Sequence, residues 1–142
     1  MSSVRFILLA LAFAPTGYNS DRLIPVTGSA TLAGTALKAG SVTLYPDESQ
    51  GNTTQEIPVG EIVDGRYEIF TNRKRGAPPG AYKVVVVSTN YSGGTGPVKG
   101  ATAEQPVSFI GEKYGNKLST PLAIEVSRNP PAGAYDLKVT KD

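Results

Sequence analysis

The feature that most limits the fold of this chain is the alternation of apolar and polar residues in short runs after residue 20. Apolar side chains recur at every second position, which is the spacing of a half-buried β-strand, and no window shows a convincing helical period. Turn-forming residues separate the runs at intervals of about 8–12 residues, as in antiparallel sandwiches. The pattern therefore predicts an all-β fold, an antiparallel β-sandwich of about seven strands.

Seven segments have this alternating character, and we predict a strand in each of them: 23–32, 41–45, 57–63, 66–71, 81–89, 121–126 and 134–139. Gly28, within the first segment, is a candidate β-bulge. Asp64-Gly65 separates two alternating runs and predicts a tight hairpin, because glycine adopts positive φ at low cost. The segments 72–80 and 90–105 are rich in glycine and polar residues, and we predict that both are loops.

The segment 81–89 is the strongest strand candidate, and it is apolar on both faces. Tyr82, Val84 and Val86 point one way, and two of the three residues between and after them are also valine. This pattern fits a central strand that is covered on both faces, or a strand with one face used by a partner. If the strand lies at an edge of the sheet, it could pair with a strand of another chain.

The first 17 residues predict an export signal. A short segment with one positive charge precedes the apolar run 6–14, which is too short to span a bilayer as a helix but long enough for a signal peptide. Ala12 and Ala14 fit a small-x-small cleavage pattern, although Pro15 follows the predicted cut. The alternative interpretation is a buried apolar strand or helix at the N-terminus. We place the signal at 1–17, a linker at 18–22 and a single domain at 23–142.

The composition removes most catalytic chemistry. The chain contains no His and no Cys, so thiolate nucleophiles, His-dependent triads, disulfides and the commonest zinc sites are impossible. Glu61, Asp64 and Glu68 lie near one predicted hairpin and could in principle transfer protons, but a solvated hairpin surface is the simpler interpretation. No loop has the ligand spacing of a calcium or phosphate site. We therefore predict no enzymatic activity, no cofactor and no metal.

A few loop residues are candidates for contact with a partner. Arg73, Lys74 and Arg75 form a short basic run that could contact an anionic partner, or simply keep the loop soluble. Tyr91 and Tyr114 lie in predicted loops and could stack on a ligand, or cover one end of the core. The formal net charge is only +2, which does not predict nucleic-acid binding.

Several short motifs occur in a fixed order between about residues 24 and 140: PVTG at 25–28, GSVTLYP at 40–46, DGRY at 64–67, GAPPGAYKVVV at 76–86, KY at 113–114, TPL at 120–122, IEV at 124–126 and YDL at 135–137. Their order and spacing resemble the carboxypeptidase-regulatory-like, or transthyretin-like (prealbumin-like), β-sandwich of small bacterial envelope lipoproteins. The resemblance implies a prealbumin/Ig-like Greek key of seven strands without catalytic residues. It also implies an envelope location, often through a lipidated Cys, and here Tyr18 stands near that position.

Together these features predict a non-enzymatic module that is exported to the periplasm, the outer envelope or the extracellular space. Its partner would be an envelope protein or a polysaccharide, and it would contact the membrane only through an uncleaved signal segment. The alternative is a soluble carbohydrate- or small-ligand-binding carrier that uses the loop tyrosines and the basic run.

Overall fold

The structure is a computed structural model that describes residues 22–90 and 107–142. The described part consists of β-strands and short 3₁₀ helices and contains no α-helix. Its strands are β1 (Thr27–Leu32), β2 (Thr35–Ala36), β3 (Ala39–Pro46), β4 (Val59–Val63), β5 (Arg66–Thr71), β6 (Lys74–Arg75), β7 (Gly80–Val87), β8 (Ala123–Val126) and β9 (Leu137–Val139). The 3₁₀ helices span Glu48–Gln50 and Glu112–Gly115. The all-β class is confirmed.

The strands form one curled, mostly antiparallel sheet with the order β2-β1-β5-β4-β3-β7-β8, in which β6 also pairs with β5 and β9 with β1. Strand β1 changes its partners halfway along its length. Thr27 to Ser29 pair with β5, whereas Ala30 to Leu32 pair in parallel with β9, and the end of β1 also pairs with β2. Strand β1, near the start of the described chain, therefore lies next to β9, near its end.

The core lies on the inner side of this sheet. Strands β4 and β8 alternate strictly between exposed and buried residues. On β7, Tyr82, Val84 and Val86 are almost completely buried, as the alternation predicts. Each such aliphatic side chain contributes about 1.5–3 kcal/mol through burial. The large inward side chains of the sheet are Val42, Leu44, Ile62, Tyr67, Ile69, Tyr82, Val84, Val86, Ile124, Val126, Leu137 and Val139.

Two-residue turns close the hairpins β1–β2, β4–β5 and β5–β6. Both turn residues have positive φ in each case, as in type I′ turns, whose twist matches that of the flanking strands. The turn at Asp64-Gly65 confirms the predicted hairpin. The turn Asn72-Arg73 was harder to foresee, because arginine rarely adopts a positive φ.

Several finer predictions were wrong. The segment 72–80, predicted to be a loop, contains β6, and two-residue strands raise the described total from seven to nine. Gly28 is not at a bulge, because the pairing of β1 with β5 continues through it in regular register. Strand β7 pairs with β3 over residues 82–87 and, on its other side, with β8 over residues 80–83, so it is a central strand of the sheet and not an edge strand.

The predicted signal 1–17 lies outside the described residues, as does the linker 18–22 except for its last residue. Within residues 22–90 and 107–142, no helix has the length and apolarity that crossing a bilayer requires.

Candidate functional site

The candidate site lies on the outer face of the sheet, which we define as the side chains of β3, β4, β5 and β7 that point away from the core. Strand β4 forms its centre. Val59 is the cross-strand neighbour of Thr43 on one side and Phe70 on the other. Glu61, two residues along the same strand, is flanked by Ser41 and Glu68 in the same way. The strand register thus places these six side chains in two rows across the strands. One row is Thr43, Val59 and Phe70, and the other is Ser41, Glu61 and Glu68.

The outer face exposes large apolar side chains. Val59 is 50% exposed, Val63 is 62% exposed, Phe70 is 37% exposed and Val87 is 41% exposed. Isolated exposed valines are ordinary on a protein surface, but neighbouring ones form a patch that favours contact with another molecule. Here Val59 and Val63 stand on either side of Glu61 along β4, and Phe70 lies directly across from Val59.

A shallow groove of about 520 Å³ runs across the middle of this face. The outward side chains of β3, β4 and β5 that line it belong to the two rows described above: Thr43, Val59 and Phe70 in one, and Ser41, Glu61 and Glu68 in the other. The groove therefore combines an apolar end, at Val59 and Phe70, with a carboxylate end, at Glu61 and Glu68.

The two carboxylates of the groove are not equivalent. Glu61 and Glu68 are direct cross-strand neighbours, an arrangement that is destabilising for like charges. Arg75 lies with its Nε 3.2 Å from Oε1 of Glu68 and compensates that charge. Within the described part of the chain, the carboxylate of Glu61 has neither an ion pair nor a hydrogen bond. The groove thus contains one carboxylate with an ion pair, Glu68, and one without, Glu61.

The three basic residues predicted as one contact site are divided by the β5–β6 hairpin. Arg73 is at the tip of the turn with a φ of 68°, whereas Lys74 and Arg75 form β6. Successive side chains of a strand point to opposite faces, so Lys74 and Arg75 do not form one cationic patch. All three side chains are exposed, and Arg75 belongs to the outer face through its pair with Glu68.

We expect Arg73→Gly to raise the free energy of unfolding by about 0.5–1 kcal/mol, because glycine adopts the positive φ of this position without steric cost. Chemical denaturation measures the change. The control is Lys74→Gly, which places glycine within β6 and is expected to lower stability instead. A lower stability for Arg73→Gly would show that the guanidinium contributes more than the backbone strain costs.

Of the two tyrosines predicted as ligand contacts, only Tyr114 lies in the part of the chain that the structure describes. Tyr91 lies outside the described residues. Tyr114 is only 4% exposed and belongs to the core cluster. Its hydroxyl lies 3.1 Å from Oγ1 of Thr140 and accepts a hydrogen bond from the Thr140 amide at 3.2 Å. This placement favours the alternative interpretation of Tyr114, that its ring covers one end of the core.

Two other tyrosines have buried, hydrogen-bonded hydroxyls. The Tyr67 hydroxyl donates to the carbonyl of Tyr135, and that of Tyr82 donates to the carbonyl of Pro78 at 2.7 Å. Burial raises the pKa of Tyr67 well above its ordinary value, and the charge of Asp136 raises it further. Burial also raises the pKa of Tyr82. At neutral pH both hydroxyls are therefore protonated structural donors.

The three carboxylates considered for proton transfer do not form one cluster, because Asp64 lies apart from the neighbouring pair Glu61 and Glu68. Asp64 occupies a hairpin turn, while Glu61 and Glu68 lie on the outer face. Residues 22–90 and 107–142 contain no group of three or more acidic, His or Cys side chains that could hold a metal ion.

The apolar outer face was not predicted from the sequence, although the sequence of β4 contains a pattern that indicates it. The strand sequence VGEIV of β4 has valine at positions that alternate with buried Ile62, so apolar residues occupy both of its faces. No family model, curated protein or solved structure matches this chain.

Proposed function

We propose that this protein is a non-enzymatic, exported interaction module of the cell envelope, and that the outer face of its sheet is the surface that contacts its partner. The observation that carries the proposal is the group of partly exposed apolar side chains on either side of Glu61, on β4 and its neighbours. Large apolar side chains exposed close together on a surface favour contact with another molecule.

The fold that we propose is a transthyretin-like β-sandwich. Its support is the exchange of partners by β1, which pairs first with β5 and then with β9, because a strand that changes partners can link two packed sheets. A second support is Tyr135, whose hydroxyl bonds the backbone of Ser127. A tyrosine that bonds the backbone a few residues upstream is a recurrent feature of sandwich corners.

Photo-crosslinking in intact cells of the native host tests the interaction surface. A photoreactive amino acid at Val59, on the outer face, is expected to give a discrete covalent adduct with one envelope protein. The same group at Lys138, an exposed position on β9, is the matched control and is expected to give none. Equal adducts from both positions, or none from Val59, would remove the support for this surface.

Export is tested separately, by the intact mass and the N-terminal residue of the protein recovered from cell fractions. A soluble product that begins near residues 15–18 is the result expected for a cleaved signal. A membrane-bound chain that retains Met1 indicates an uncleaved tether, and a cytoplasmic chain of full mass contradicts export.

A further inference from the structure

We propose that the groove on the outer face binds an extended segment of a partner protein in which one lysine or arginine stands between two apolar residues, in the pattern apolar-x-basic-x-apolar. This inference rests on the proposed function, since it names the chemistry of the partner at the same surface. The argument for it begins with the charge in the groove and continues with the spacing along β4.

The carboxylate of Glu61, which has no ion pair in the described part of the chain, favours a basic group in the partner. Glu68 already has Arg75 as its partner at 3.2 Å, whereas neither Arg66, which lies diagonally across the strand pair, nor any other cation of the described residues forms an ion pair with Glu61. A cation placed next to Glu61 would interact with it and would also reduce its repulsion with Glu68 across the strand pair. An acidic or neutral residue would do neither.

The spacing of the outward side chains along β4 favours a partner segment in extended conformation. Val59, Glu61 and Val63 point outward at every second residue, so their side chains follow one another at intervals of about 6.6 Å. A partner segment in extended conformation repeats its side chains at the same interval. Val59 and Glu61 line the groove, and Val63 lies beyond its lining on the same strand. A segment that runs along β4 can therefore place one apolar residue against Val59 in the groove, its basic group at Glu61 and a second apolar residue against Val63 outside the groove.

The outward side chains of β4 also lower the stability or the solubility of the free protein. Like charges opposite each other lower stability, and exposed valines lower solubility. Glu61→Gln should therefore make the isolated domain slightly more stable while it weakens binding of the basic segment. A residue with a purely structural role would not produce these opposite effects.

The test uses three capped nine-residue peptides and the full chain. One has the sequence Gly-Ser-Val-Thr-Lys-Thr-Val-Ser-Gly, and the others carry glutamine or glutamate in place of lysine. Binding is followed by the amide chemical shifts of Ser41, Thr43, Glu61 and Phe70 at low ionic strength. We expect the lysine peptide to bind about two- to fivefold more tightly than the glutamine peptide, as an exposed ion pair would give, and the glutamate peptide to bind most weakly. Added salt should remove the difference.

Glu61→Gln is expected to abolish the preference for lysine without weakening the glutamine peptide. The matched control is Glu125→Gln, an exposed outward position on β8, which is expected to leave every affinity unchanged. Equal binding of the lysine and glutamine peptides to the wild-type protein, an undiminished preference in Glu61→Gln, or no shifts at these amides would overturn the inference. If the Val59 crosslink still forms in cells, such a result refutes the partner chemistry and leaves the proposed function standing.

Discussion

Replacing Gly28 with alanine is expected to lower the free energy of unfolding by about 3 kcal/mol, at the upper end of what overpacking costs. A methyl group at this position would overlap the carbonyl oxygen of Tyr135 and lie 2.9 Å from Cε1 of Tyr67. Both obstacles are fixed, because the Tyr67 hydroxyl donates to that same carbonyl. Either β1 must move away from β5, or the segment before β9 must shift. Urea denaturation with an unchanged m-value measures the loss.

Gly115→Ala is the control for this substitution. Gly115 ends a 3₁₀ helix, and a methyl group there would have no atom within 4 Å, so its effect should stay within about 0.5 kcal/mol. A Gly28→Ala variant as stable as the wild-type protein would show that the chain before β9 does not approach β1 as closely as the structure has it.

The second large effect is a loss of stability in alkali, caused by the buried hydroxyls of Tyr67 and Tyr82. Their pKa values are raised in the folded protein, so the unfolded chain releases these protons first. Below pH about 10, the ordinary tyrosine value, both states are protonated and the contribution is constant. At higher pH the unfolded state binds fewer protons, and the free energy of unfolding falls by up to about 1.4 kcal/mol per pH unit for each tyrosine.

Denaturation at a series of pH values from 8 to about 12 measures this slope. Tyr67→Phe should reduce the slope by the share of one tyrosine, although it also lowers stability at neutral pH by about 1–3 kcal/mol, because the Tyr135 carbonyl loses its donor. The control is Ile69→Val, a buried position on the same strand that carries no titratable group, for which the slope should be unchanged. An identical slope in wild type and Tyr67→Phe would contradict the assignment.

The parts of the fold that depend on local sequence were predicted well. The alternation of Tyr67 and Ile69 on β5, and of Val84 and Val86 on β7, identifies their buried face, because strand geometry alone sets a period of two. Asp64-Gly65 identifies its turn, since both residues tolerate positive φ. The short strand β6 could not be foreseen, because Arg73 in its turn does not favour that conformation.

The parts that depend on distant pairing could not be predicted. Nothing in the segment 82–87 indicates that β3 and β8 lie on its two sides, since those partners are remote in the chain. Gly28 shows the same limit, because its requirement for glycine comes from Tyr135, more than a hundred positions later. The candidate groove likewise depends on the register that sets Glu61 opposite Glu68.

The pairing of β1 with β9 also determines when this protein can fold. The amide of Ser29 bonds a carboxylate oxygen of Asp136, 107 positions away, and the strands that follow these residues lie side by side. Contacts between such distant segments form slowly. During synthesis, the pairing of Ala30 to Leu32 with β9 therefore waits until β9 has left the ribosome. Until then this edge of β1 stays unpaired and remains accessible to chaperones and proteases.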